Sequence, residues 1–268
     1  MPAWQQFLDI AVEAARIAGS FQQYRFASEL NVSLKGDKNL VTEVDRESER
    51  LIVGHLLESF PEHSIIAEEG EYPPGGTPFR WIIDPLDGTT NYAHRFPWFC
   101  VSIGLEFAGE LVAGVIYNPL NDELFTATRG GGAFLNGSRL HVSRRAPLHG
   151  TLLGTGFPYD CASDPDNNFD NFIVFQKAAR GIRRAGAAAL DLAYVAAGRL
   201  DGFWELKLKP WDVAAGVLLV REAGGAVTTF DGKEYDILNN CIVASNGLIH
   251  GEMVALLTRT GQRGPHEP

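Results

Sequence analysis

The chain holds only three cysteines in 268 residues, Cys100, Cys161 and Cys241, an odd and widely separated set. The lack of any Cys-x-x-Cys pair excludes a zinc ribbon or a disulfide framework and points to a reducing compartment. Long apolar runs are missing too, so no segment reaches membrane-spanning length. The opening stretch "MPAWQQFLDIAVEAARIAG" has neither the basic n-region nor the continuous apolar h-region of a secretion signal. A soluble cytoplasmic protein with no membrane association is the expectation. Positive charge is also scarce: 23 Lys and Arg stand against 33 Asp and Glu, a formal net charge of −10. With a pI near 5.2, the long-range field repels nucleic acid and anionic membranes. No basic stripe with interleaved aromatics supports direct nucleic-acid binding, so none is expected. An anionic substrate would need local help from metals or a few basic groups. The seven histidines show no ligand or triad spacing, and Ser102 and Ser245 lack a nucleophile-elbow context.

The chain does contain enough apolar material, 45% of residues, for one large domain or two compact ones with a real core. Trp4, Phe7, Leu8, Ala11, Ala14, Ala15, Ala18 and Phe21 recur at three- and four-residue steps, the period of an amphipathic helix. A second helix is predicted from about Asp45, as its cap, to Ser59, with Leu51, Ile52, His55 and Leu56 as its buried stripe. From His63 to about Gly137 the pattern becomes strands, "SIIAEE", "RWIID", "FCVSIGLEF", "ELVAGVIYN" and "ELFTATRGGGAFLNG", which read as a mostly antiparallel meander. The glycines of "RGGGAF" fit a hairpin turn. Further on, "TLLGTGF", "DGFWEL" and "CIVASN" read as strands. Helices are predicted for "FDNFIVFQKAAR", "GAAALDLAYVAAG", "WDVAAGVLLVREAGG" and "GLIHGEMVALLTRT". The tail "GQRGPHEP" is expected to fray. Helices flanking more than one sheet make a layered α/β fold. The boundary between two subdomains, 1–145 and 146–268, is placed at "SRRAPLHG".

The stretch "WIIDPLDGTTNY" drives a buried-looking strand into Asp84 and Asp87, although burying carboxylates without partners is costly. On these two acids alone, a turn and a site are equally good readings. Glu68 and Glu69, however, end the preceding apolar strand and would surface beside Asp84 if the two strands are neighbours. Clustered carboxylates raise one another's pKa unless a cation compensates, and a hard divalent ion such as magnesium suits oxygen ligands. Gly88, Thr89 and Thr90 follow, where a helix start would offer free N–H groups to an anion or simply be capped by Thr. Asp212 in "KPWDVAAG" sits at another helix start. Ala214, Ala215 and Gly216 after it would let that helix lie close to other backbone.

"WIIDPLDGTTNYAHRFPWFCVSIGL" resembles the first signature of the inositol monophosphatase family, and "KPWDVAAGVLLVREAGG" resembles its second. "LVTEVDRESE", "PEHSIIAEEG", "RGGGAFLNG" and "RRAGAAALDLAYVAAGRLDGFWE" look like the family's other blocks, in its order. The likeness spans nearly the whole chain and is strongest to the bacterial inositol-1-monophosphatase type. It implies an αβαβα sandwich with mixed, largely antiparallel sheets, a homodimer, sensitivity to lithium, and two to three magnesium ions.

By match to the motifs, Glu68, Asp84 and the carbonyl of Leu86 would hold the first ion. Asp84 would bridge to a second ion held by Asp87 and Asp212, and Glu68 would help with a weaker third. Gly88 and Thr89 would receive the phosphate, while Asp45, Thr89 and Glu68 orient a nucleophilic water for in-line attack without a covalent intermediate. Glu205 would accept hydrogen bonds from substrate hydroxyls, with Asp87, Asp212 and the backbone at Ala188 beside it.

Against the animal enzymes, Lys209 stands three residues before Asp212 and Ala187 stands where a hydroxyl is common. The loop "KGDKN", which carries Lys35, is also shorter. The substrate class implied is a small phosphorylated polyol, inositol 1-phosphate first. The rivals are fructose 1,6-bisphosphate, adenosine 3′,5′-bisphosphate and histidinol phosphate, and for a bisphosphate Lys207, Lys209, Arg183 and Arg184 would have to supply a second anion pocket. A different class of role, regulatory binding in a transcription complex, follows from bacterial relatives linked to such complexes.

Overall fold

Five layers of structure stack in the order helices, sheet, helices, sheet, helices, as seen in a computed structural model that describes residues 4–28, 32–34 and 40–261. Residues 262–268 of the tail and the "KGDKN" loop with Lys35 lie outside the described residues. The first layer pairs α1 (Gln5–Phe26) with α2 (Glu43–Ser59), and between them in the chain come the antiparallel strands β1 (Val32–Leu34) and β2 (Leu40–Thr42). The first sheet runs β3 (Ser64–Ala67), β4 (Phe79–Asp87), β5 (Cys100–Phe107), β6 (Glu110–Asn118), β7 (Glu123–Thr128), β8 (Gly132–Leu135) and β9 (Ser138–Arg139), in that spatial order. It is antiparallel except for the β3–β4 pair. A short helix, α3 (Thr89–Ala93), follows β4.

The second sheet is built from β10 (Leu152–Thr155), β11 (Gly181–Arg183), β12 (Gly202–Leu206), β13 (Ala226–Thr228) and β14 (Cys241–Ser245). Its order is β11-β10-β12-β14-β13, with parallel and antiparallel pairs mixed. Between the sheets lie α5 (Ala188–Ala196) and α6 (Pro210–Glu222). On the outer face of the second sheet lie α4 (Phe169–Ala178) and α7 (His250–Thr260).

The two-residue period of β4 explains the layering. Trp81 and Ile83 point to the α1–α2 core, while Ile82 points to the core shared with α5 and α6. Each fully buried aromatic or aliphatic side chain of this kind contributes about 1.5–3 kcal/mol. On the far side of the molecule, the Phe175 and Trp204 rings stack 4.1 Å apart.

The small residues of α6 seat it directly on the first sheet. A Cβ added at Gly104 would come within 2.8 Å of the Ala214 Cβ, and one at Gly114 within 3.1 Å of the Ala215 Cα. The helix therefore lies in a groove that only glycine leaves open, and its N-terminus is carried to the end of β4.

Two expectations need adjustment. Asp45 is not the cap of α2: Thr42 is, its Oγ1 accepting from the Val44 N–H at 3.1 Å. Asp45 is the third residue of the first turn and reaches back to accept the Thr42 N–H at 2.8 Å, so "TEVD" is a capping box. The buried face of α2 also differs from the predicted stripe. It carries polar Ser48 and Glu49 beside Ile52, Val53 and Leu56, while His55 turns outward to Glu13 at 3.1 Å. The three-residue strands β11 and β13 had no legible pattern. The "RGGGAF" turn is a hairpin, and the Glu222 carboxylate accepts from the N–H groups of Gly130 and Gly132, both at 2.8 Å.

Candidate active site

A bulge at the end of β4 puts both aspartates on one side of the sheet. Asp84 pairs with Ser102 and Asp87 with Cys100, so three steps along β4 are matched by two along β5. In a regular strand, residues three apart face opposite ways, and the extra residue cancels that alternation. Pro85, which has no N–H to give the ladder, sits within the irregularity. Its carbonyl instead accepts from the Gln22 side chain of α1 at 2.6 Å, and Leu86 donates its N–H to Asp84 Oδ1 at 3.0 Å.

Each remaining acid arrives from a different element. The parallel pairing of Ala67 with Ile83 places Glu68, the next residue, beside Asp84. The Glu68–Glu69 segment is held from α2, since Glu49 accepts the Glu69 N–H at 2.8 Å and the Tyr72 hydroxyl at 2.9 Å. Asp212 lies in the first turn of α6 and accepts the Lys209 N–H at 2.7 Å. Asp87 accepts the Ala189 N–H from the first turn of α5 at 2.7 Å, which places Ala188 beside it. Glu205 projects from β12 and packs on the backbone of Gly156.

Gly88 has φ +95°, and a Cβ there would meet the Trp98 carbonyl at 2.9 Å, so only glycine makes the turn into α3. Thr89 Oγ1 donates to Asp45 Oδ1 at 2.7 Å and lies 3.1 Å from the Leu86 carbonyl oxygen.

The electrostatics are those of a cluster of mutually repelling carboxylates. Burial, then the charges of Glu68, Asp87 and Asp212, hold the Asp84 carboxyl far above its usual range. Burial and Asp212 do the same to Asp87, against the opposing Ala189 N–H. Burial pushes Asp212 up to about 7, with the Lys209 N–H pulling the other way. Glu205 is pushed up to about 8 by burial and Asp212, with Arg184 opposing. Burial also raises Asp45, although Thr42 and Thr89 donate to it.

Among the described residues, no three Asp, Glu, His or Cys side chains already stand close enough to form a finished ligand set. The acids share one field without touching, as mutual repulsion requires. Their donors are carboxylates plus the Leu86 carbonyl, a hard oxygen set that fits a magnesium-like ion and offers nothing to a soft metal.

The raised pKa values have a thermodynamic sign. An acid whose folded pKa exceeds its unfolded value of about 4 holds a proton that the unfolded chain releases. Stability is therefore fullest below that value and falls as pH rises through 7 to 8, the folded values of Asp212 and Glu205. Metal-free protein is expected to melt about 5 °C or more lower at pH 8.5 than at pH 6. Adding magnesium at pH 8.5 should recover most of the difference. A melting temperature that stays flat or rises with pH in the absence of metal contradicts this account.

All the sequence-predicted residues, Asp45, Glu68, Asp84, Leu86, Asp87, Gly88, Thr89, Ala188, Glu205 and Asp212, thus lie around the ends of β3, β4 and β12 and the starts of α2, α3, α5 and α6. Of the basic candidates, Arg184 stands near enough to Glu205 and Asp191 to lower both. Lys209 lowers Asp212, whereas Lys207 is tied to Asp160 and Asp164 at 2.8 and 2.9 Å.

Sequence reasoning missed Asp191, a buried carboxyl on α5 held far above its usual range by burial and Glu205. It also missed Gln22 and Glu49, which brace the acid-bearing turns from behind. A polar residue inside an otherwise apolar helix face was the available signal for Gln22 and Asp191, whereas Glu49 shares its face with Asp45 and Ser48.

The profile of the inositol monophosphatase family matches residues 3–262. Nus factor SuhB of Pseudomonas aeruginosa is 48% identical over 251 residues, covering 90% of this chain and 92% of that protein. The inositol-1-monophosphatase of Synechocystis sp. is 45% identical over 260 residues, covering 96% of this chain and 91% of that protein. The solved structure of the inositol monophosphatase from Anabaena superposes with a TM-score of 0.87 at 45% identity, covering 95% of this chain and 96% of that one.

Proposed function

The chain belongs to the inositol monophosphatase family, and on that premise we propose that it is a magnesium-dependent phosphatase that hydrolyses the phosphate monoester of a small polyol, inositol 1-phosphate first. The observation that carries this is the convergence of Glu68, Asp84, Asp87 and Asp212 into one mutually repelling field beside the Gly88–Thr89 turn. Glu68, Asp84, the Leu86 carbonyl, Asp87 and Asp212 would hold two to three magnesium ions. Bound magnesium supplies charge neutralisation at the phosphoryl group and a lowered pKa for water. The N–H groups of Gly88 and Thr89 face the phosphate. Thr89 gives its proton to Asp45 as it takes one from the attacking water, and the raised pKa of Asp45 suits it to accept. Glu205 receives the hydroxyls of the leaving alcohol.

The same reading carries a homodimer, lithium inhibition and a cytoplasmic location, and it assigns the halves 1–145 and 146–268 to the two sheets. It favours a monophosphate over a bisphosphate, because Lys207 already serves two aspartates. The test is side-by-side turnover of inositol 1-phosphate, fructose 1,6-bisphosphate, adenosine 3′,5′-bisphosphate and histidinol phosphate with magnesium. Inositol 1-phosphate is expected to show the highest kcat/KM, and finding it the poorest of the four would overturn the substrate assignment.

A second reading, a regulatory role in a transcription complex, is favoured by the Nus factor name of relatives up to 48% identical. The net charge of −10 suits a protein partner there better than direct contact with nucleic acid.

A further inference from the structure

Asn91 is the third residue of α3, two positions past Thr89, and it is half-buried. Its side-chain amide donates to the Trp98 carbonyl at 2.8 Å, to the Ala185 carbonyl at 2.9 Å and to the Gly186 carbonyl at 3.3 Å. Three acceptors can face only the nitrogen of a carboxamide, so the partners themselves fix which way the group points. The bond to Trp98 stays within the loop that follows α3, where the Asn91 carbonyl also accepts the Phe96 N–H at 2.8 Å. The other two bonds cross to the second half of the chain, to the turn that leads into α5. Gly186 makes that turn with φ +85°, and a Cβ on it would lie 3.3 Å from Asn91 Nδ2 and 2.9 Å from Arg184 Nη1. The turn therefore rests directly against the amide.

The two ends of this bridge are the two ends of the candidate site. On one side, α3 has Gly88 as its cap and Thr89 as its first residue. On the other, Ala187 caps α5, Ala188 opens it, and the Ala189 N–H donates to Asp87 at 2.7 Å. The phosphate end has ties of its own. Thr89 Oγ1 donates to Asp45 at 2.7 Å, and the Tyr92 hydroxyl donates to the Gln22 carbonyl at 2.7 Å. Without the Asn91 amide, α3 keeps those ties, whereas two carbonyls of the turn before α5 lose their donor. The start of α5 is then free to shift against the phosphate seat.

We propose that Asn91 is a positioning residue that sets the distance between the phosphate seat at Gly88–Thr89 and the polyol-facing backbone at Ala188, and so favours esters that fill both ends at once. It touches no substrate and acts through the Ala185–Gly186 turn. An inositol phosphate must seat its phosphate at one end while its hydroxyls meet the other, so a small shift between the ends costs it affinity. An ester with no hydroxyls is held by its phosphate and is indifferent to that shift. This rests on the polyol-phosphatase reading and adds the residue that fixes the length of its site.

The test uses the full chain with saturating magnesium and compares inositol 1-phosphate with phenyl phosphate, a ring ester that has no hydroxyls. Asn91→Ala is expected to lower kcat/KM on inositol 1-phosphate about tenfold, chiefly through KM, as for the loss of one or two hydrogen bonds. On phenyl phosphate the change should stay below about twofold, and so should the inhibition constant of inorganic phosphate. Asn91→Ser, which keeps a polar group but cannot reach the turn, should shift the ratio of the two kcat/KM values in the same way, and it decides the matter if the alanine variant does not fold. Val195→Ala, a buried change near the far end of α5, should lower the melting temperature and leave that ratio within about twofold. If the Asn91 variants move the ratio by less than about threefold, or if Val195→Ala moves it as far as they do, the proposal is wrong while the phosphatase reading stands. Wild-type protein inactive on both esters overturns the phosphatase reading and this proposal with it.

Discussion

Asp84→Asn should reduce magnesium-dependent phosphatase activity by about a thousandfold or more while leaving the fold intact. Asp84 is the acid that every other member of the cluster acts on: Glu68, Asp87 and Asp212 all raise it, and burial raises it further. Such a group is a burden on the metal-free protein and becomes useful only when a cation neutralises the pocket. Asparagine has the same shape, and its oxygen still accepts from the Leu86 N–H now bonded to Asp84 Oδ1. The variant should therefore melt no lower than wild type without metal at pH 8.5, and it should gain less on adding magnesium. Phosphate release and the two melting curves check this together. A variant that retains even a tenth of wild-type turnover would remove Asp84 from the proposed ligand set. In cells, the same substitution separates the enzyme from a binding role: function lost along with activity supports catalysis, and function preserved without activity supports the regulatory reading.

Next in size is the pair Thr89 and Asp45. Thr89→Val preserves volume but deletes the hydroxyl that donates to Asp45 at 2.7 Å, and kcat should fall by about 10²–10⁴-fold with little change in KM. Asp45→Asn should fall as far, because an amide cannot take the proton. Its fold should survive: the asparagine oxygen can still accept the Thr42 N–H, so the capping box weakens by only about 0.5–1 kcal/mol. Thr89→Ser is expected to keep most of the activity. If Thr89→Val and Thr89→Ser turned over equally well, the hydroxyl would have no part in moving the proton, and the relay would be abandoned.

Much of this site was legible in the chain. Strands that end in acid, as "SIIAEE" and "WIID" do, announce a pole of the sheet where charge is gathered, and that pole exists. "WDVAAG" announced a helix able to approach backbone closely, and α6 does so over Gly104 and Gly114. The capping box was misread because Asp45 is a sound cap by itself. Only the paired backbone geometry distinguishes a residue that caps from one that reaches back to the cap. Gln22, Glu49 and Asp191 escaped notice because each helix is legible from its apolar spacing without them.

Sequence by itself determined the chemistry available: acids at strand ends, a glycine where the chain must turn at φ +95°, small residues on one helix face, and periods that assign helices and strands. Those are local properties, set by backbone sterics and by side-chain spacing along a few turns. Tertiary structure alone decided which acids share a field, since Glu68 follows β3, Asp84 and Asp87 end β4, Glu205 sits on β12 of the other sheet and Asp212 opens α6. Their convergence depends on the bulge at Pro85–Leu86, which turns two opposite-facing positions to one side, and on the depth of the groove that receives α6. Neither is a property of any one segment, because each is settled by what the neighbouring strand or helix leaves room for.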